Sequence, residues 1–136
     1  MKAFVLDASV VMSWCLKDEA DDYSESILKS LAMHEPIVPA LTPYEVANVL
    51  VVAERRGRLT EADTSRFLGL FKALPIRVDE RPAVQVMPAI VVLGRQYALS
   101  AYDAAYLELA MHTGSRLATR DKTLREAARR CGIRLV

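Results

Sequence analysis

Asp7, Glu45, Asp103 and Asp121 each stand where an apolar, strand-like run ends or where a helix begins. Carboxylates scattered over a surface only solvate it. Four that meet at strand ends and helix starts repel one another and need a divalent cation to hold them together at neutral pH. All-oxygen ligation without His or Cys suits Mg2+ or Mn2+, and such ions lower the pKa of a bound water and clamp a phosphodiester for in-line attack. Each acid also has a structural explanation. Glu45 and Asp103 stand three residues after Thr42 and Ser100, as in capping boxes, while Asp7 and Asp121 can cap helices whose dipoles favour them. Asp63, three residues after Thr60, shares the capping position but follows no strand, so it serves as a control without assigned function.

The elements that must position these acids follow from apolar patterning. Lys2 to Leu6 reads as a short buried strand and Ser9 to Leu16 as a helix, with Asp7 at the junction. After the acidic bend Asp18 to Asp22, helical spacing of Ile27, Leu28 and Leu31 predicts a helix over Tyr23 to Met33, stopped by Pro36. Ile37 to Ala40 is a second strand. A helix opened by Thr42-Pro43-Tyr44-Glu45 runs to about Gly57, and another from Thr60 to about Ala73. Ile76 to Val78 is a third strand, and Pro82 to Tyr97 a buried helix that Pro88 should kink or start. Ser100 caps a helix through His112, Leu117 to Thr119 is a fourth strand, Asp121 opens a helix to about Cys131, and Ile133 to Val136 closes the sheet.

Short apolar runs alternating with helices predict a three-layer α/β/α domain with a short central parallel sheet, one domain over residues 1–136. In such sheets ligands bind in the crevice at the carboxyl ends of the strands. Asp7 and Asp121 directly follow strands and Glu45 lies one helical turn after one. Asp103 has no strand just before it, so only a folding-back of its helix start brings it to the crevice.

Composition narrows the classes further. With 136 residues and 52% hydrophobic content the chain can bury a substantial core, and Lys+Arg at 18 against Asp+Glu at 17 leaves no global basic field. The start MKAFVLDASV is too short and too early charged for a signal peptide or membrane span, which points to the cytoplasm and to no membrane association. Cys15 and Cys131 have no metal-ligand spacing, and His34 and His112 are isolated, so a zinc site or a Ser-His-Asp triad lacks its parts.

Four segments, in order and with sensible spacing, carry a resemblance: Asp7-Ala8-Ser9; Thr42-Pro43-Tyr44-Glu45-Val46-Ala47-Asn48-Val49-Leu50; Leu99 to Ala110 around Tyr102-Asp103; and Ala118-Thr119-Arg120-Asp121-Lys122-Thr123-Leu124. Together they resemble the PIN domain, and more narrowly the VapC toxins of type II toxin–antitoxin pairs. The resemblance implies a Mg2+- or Mn2+-dependent endoribonuclease with Asp7, Glu45, Asp103 and Asp121 as its acidic quartet and Ser9 and Thr119 as polar companions. Asp7 and Asp103 are then the most direct metal ligands, and Glu45 and Asp121 act through waters or a second ion. It also implies a homodimer and a VapB-like antitoxin whose C-terminal arm blocks the acidic site. The alternative is a catalytically silent PIN-type adaptor that binds RNA or a protein.

RNA handling needs cations beside the acids. Arg120 and Lys122 flank Asp121 and are the substrate-binding candidates, while the other basic residues read as solvated helix faces. Val49 to Ala53 and Val84 to Leu93 hold more large aliphatics than one helix stripe needs, which agrees with a homodimer. A receiver domain wants paired acids after the first strand and a Lys after the last, and a haloacid-dehalogenase-type phosphatase wants Asp-x-Asp. Leu6-Asp7-Ala8-Ser9 and the closing Ile133-Arg134-Leu135-Val136 fit neither.

Overall fold

The computed structural model describes residues 2–136. Its elements are β1 (Lys2–Leu6), α1 (Ala8–Cys15), a 3-10 turn (Lys17–Glu19), α2 (Asp22–Ser30), β2 (His34–Val38), α3 (Thr42–Arg55), α4 (Glu61–Ala73), β3 (Arg77–Val78), α5 (Ala83–Tyr97), α6 (Ala101–Thr113), β4 (Arg116–Ala118) and α7 (Lys122–Arg130). The strands form one sheet in the order β3-β2-β1-β4, all parallel, with helices on both faces. From β1 the chain moves to one side through β2 and β3 and returns on the other side as β4. The order therefore reverses between β1 and β4, and their carboxyl ends flank the crevice.

Side-chain alternation along β1 divides the core. Phe4 and Leu6 pack with Val10, Val11, Ile27, Val38, Leu50 and Phe67 on one face. Val5 packs with Tyr106, Leu107, Leu109, Leu117 and Leu124 on the other. In α6 the whole run Ala104 to Ala110 is buried, as suits a helix enclosed on several sides, and its alanines permit close approach to the sheet. Arg81 ties the β3–α5 connection to this helix, donating to Asp79 at 2.8 Å and to Glu108 at 2.6 Å.

Several expectations change in detail. β2 begins at His34 and contains Pro36, because β3 pairs only with Ile37 and Val38 and Pro36 has no ladder partner to lose on that side. α2 ends at Ser30, with Asp21 as its cap accepting from Ser24 N at 2.7 Å. The expected closing strand over Ile133 to Val136 reduces to one bridge between Leu135 and Leu117, held by bonds from Leu117 N to Arg134 O and from Val136 N to Leu117 O, both at 2.9 Å.

The expected burial of Pro82 to Tyr97 is corrected. α5 runs unbroken through Pro88, yet Leu93 is its buried residue, while Val84, Met87, Val91 and Val92 are exposed. Pro88 lies near the helix start, where the carbonyl it leaves unpaired, that of Val84, belongs to a residue 76% exposed and can turn to water. The helix ends at Ala98 in the left-handed region (φ 53), and Leu99 N bonds Gly94 O at 3.0 Å. A Cβ at Gly94 would sit 3.1 Å from Leu99 O, so glycine lets this reversal close and sends α6 back toward β1.

Candidate functional site

Asp7 occupies the N-cap position of α1 but makes no capping bond with its side chain. Its Oδ2 instead accepts from Ser9 Oγ at 2.5 Å and from Thr119 Oγ1 at 2.7 Å. Thr119 Oγ1 in turn accepts from Asp121 N at 3.1 Å, and Ser9 Oγ from Arg120 N at 3.0 Å. With Asp7 N bonded to Ala118 O at 2.9 Å, the ends of β1 and β4 are stitched together around one carboxylate. Burial pushes Asp7 above the usual carboxylate range, hydroxyl donation from Ser9 and Thr119 opposes this, and the charge of Asp121 adds to the rise. Asp121 does cap α7, its Oδ1 accepting from Leu124 N at 2.9 Å.

Glu45 departs from the capping box. The N-cap of α3 is Leu41, and no side chain caps that helix. Glu45 Oε1 accepts from the hydroxyl of Tyr106 at 2.6 Å, and that hydroxyl also pairs with Thr42 Oγ1 at 2.6 Å and receives Ala8 N at 3.3 Å. Asp103 forms half a box: its N–H donates to Ser100 Oγ at 3.1 Å, with no return bond to the cap backbone. The control behaves differently. Thr60 N donates to Asp63 Oδ2 at 2.9 Å and Asp63 N to Thr60 Oγ1 at 3.1 Å, a complete box.

The four acids share one field. Glu45 is raised by burial first and then by Asp7 and Asp103, and Asp103 by burial first and then by Asp121 and Asp7. The tight reversal after α5 therefore supplies the folding-back that Asp103 requires. Among the described residues no three of His, Cys, Asp or Glu stand close enough to grip one ion directly.

Arg120 is spoken for: its Nε pairs with Asp21 at 2.9 Å and another guanidinium nitrogen donates to Ser13 Oγ at 2.6 Å. Lys122 is exposed in the first turn of α7.

A family model of the PIN domain matches residues 4–130. The chain belongs to the PIN domain family. This PIN domain is 32% identical over 127 residues to Ribonuclease VapC3 of Pyrobaculum aerophilum, spanning 90% of this chain and 92% of that protein. A crystal structure of a Pyrobaculum aerophilum protein superposes with a TM-score of 0.68 at 26% identity, covering 93% of this chain and 84% of that one. VapBC2 from Rickettsia felis, bound to a DNA fragment from its promoter, superposes with a TM-score of 0.69 at 12% identity over 98% and 97% of the two chains, a likeness of fold alone.

Tyr106 is the site residue that sequence reasoning passed over. Fully buried, it carries a hydroxyl that touches the helix starts behind both Asp7 and Glu45. The available signal was its place three residues after Asp103, on the same side of α6.

Proposed function

We propose that this PIN domain is a metal-dependent endoribonuclease and the toxin of a toxin–antitoxin pair, cleaving RNA phosphodiester bonds by attack of an activated water. The observation that supports this reading is the charge that Asp7, Glu45, Asp103 and Asp121 exert on one another around the β1/β4 reversal. Three of them are held above the ordinary carboxylate range by burial and by one another's charge. That destabilisation fits an all-oxygen site for Mg2+ or Mn2+. Asp7 and Asp103 would hold the ion most directly, and Glu45 and Asp121 through waters or a second ion. When bound, the ion lowers the pKa of a coordinated water and offsets charge developing on the phosphate.

The chain's own part is orientation. Ser9 and Thr119 fix one oxygen of Asp7. Tyr106 fixes Glu45, and its phenol, pushed far up by burial and by the charges of Asp7 and Glu45, stays protonated as a donor. Lys122 is left as the basic side chain at the rim free to meet a phosphate, since Arg120 is engaged by Asp21.

Likeness to Ribonuclease VapC3 supports the activity, and with it a VapB-like antitoxin as partner. The exposed aliphatic residues of α5 support a homodimer. We place this activity on RNA in the cytoplasm. Among the described residues no helix is long and apolar enough to cross a membrane. The test is cleavage of structured RNA in Mg2+ or Mn2+ by wild type and by Asp7→Asn and Asp103→Asn. Loss of at least 100-fold in both variants with unchanged circular dichroism is expected, and full activity in either removes the assignment. Expression without the neighbouring small open reading frame should arrest growth, and coexpression should relieve it.

A further inference from the structure

Of the one Trp, five Tyr and three Phe in the chain, the described residues leave only Tyr44 and Tyr102 exposed, at 80% and 64%. Each immediately precedes an acid of the cluster: Tyr44 before Glu45 in the first turn of α3, and Tyr102 before Asp103 in the first turn of α6. Among the described residues neither hydroxyl makes a hydrogen bond. Neither ring pairs with the aromatic contacts Phe4–His34 and Phe67–Phe71, nor with Arg125 or Arg130, which lie over Tyr23 and Tyr97. Nothing in the fold requires an aromatic ring at either place.

We infer that Tyr44 and Tyr102 form a stacking platform for the bases of single-stranded RNA on either side of the phosphate held among the carboxylates. The inference rests on the ribonuclease reading and adds to it two side chains, Tyr44 and Tyr102, that hold the bases of the substrate. Each Tyr Cα is about 3.8 Å from the Cα of its acid, and successive side chains on a helix are about 100° apart. Adjacent side chains on a helix point apart, so each ring opens to solvent from the same first helical turn that carries its acid, and a strand lying across the acids passes both turns. Exposed aromatic faces hold unpaired bases without regard to sequence, whereas bases in a duplex are already stacked and hidden. Grip by stacking also answers a shortage, because Arg120 beside Asp121 is occupied by Asp21 and Ser13.

The test uses a fluorescein-labelled single-stranded RNA that the wild type cleaves in Mn2+, the same RNA with one abasic nucleotide beside the scissile phosphate, and a hairpin burying that position. Tyr44→Ala and Tyr102→Ala should each raise KM about tenfold on the single strand, with kcat within about twofold. Tyr44→Phe and Tyr102→Phe should restore the wild-type value, and the abasic RNA should bind wild type about tenfold more weakly while leaving the matching Ala variant indifferent. Unchanged KM in both Ala variants, or equal affinity of wild type for the intact and abasic strands by anisotropy, overturns the inference. So does loss only of antitoxin binding, which would assign the rim to a protein contact. An absence of cleavage by wild type counts against the preceding reading instead, and the anisotropy comparison then decides this one alone.

Discussion

Tyr106→Phe removes a single oxygen atom from a fully buried position. That oxygen donates to Glu45 Oε1 at 2.6 Å, pairs with Thr42 Oγ1 at 2.6 Å and accepts Ala8 N at 3.3 Å. The bond to Glu45 is charge-assisted and worth about 1.5–3 kcal/mol, its lower end applying because the carboxylate is half-exposed. Thr42 is fully buried and loses its partner, adding about 1 kcal/mol. Ala8 N is a first-turn donor at long range and adds little. The sum is about 2–3 kcal/mol, or roughly 8–12 °C in Tm for a domain of this size. Thermal unfolding in EDTA measures it, and Thr42→Val should reproduce part of the loss. Sign matters as well. Burial raises Glu45 and the Tyr106 bond restrains that rise, so in Tyr106→Phe the carboxyl titrates higher still. The acid limb of the pH–rate profile should move to higher pH, and the stability gap between variant and wild type should widen as pH climbs through that range. A Tm within about 1 °C of wild type with an unmoved acid limb would refute the claim that this hydroxyl joins the starts of α1 and α3 to α6.

Asp7 is raised by burial first and by the charge of Asp121, so its protonated form favours the fold. That contribution is complete below about pH 4 and is lost as pH rises through the higher folded value. Metal-free Asp7→Asn should therefore melt above wild type at pH 8 and converge with it in acid, and Mn2+ should raise the Tm of wild type but not of the variant; a variant less stable than wild type at pH 8 contradicts this. Asp63→Ala dismantles a complete capping box that faces solvent. It should weaken α4 slightly and leave RNA cleavage within about twofold of wild type, so a large loss of activity would end its use as a control.

The order of strands and helices and the parallel sheet were legible in the chain because they rest on local rules. Apolar runs bounded by breakers, Pro43 at a helix start and acids at strand ends state themselves within a few residues. Sequence could not separate a capping acid from one turned to other work. Asp63 and Asp103 read alike at the same spacing, and only the structure shows a closed box at one and half a box at the other. The burial predicted for α5 failed for a related reason: apolar content states that a surface prefers to be covered, but not whether the same chain covers it. Asp103 reaches the other acids through the reversal at Ala98 and the close approach at Gly94, and Arg120 turns to Asp21 from more than ninety positions away. Local propensity decides which elements form. Partners distant in the chain are settled only when packing fixes one arrangement out of many, and here that step brought Tyr106 beneath the helix starts that carry Asp7 and Glu45.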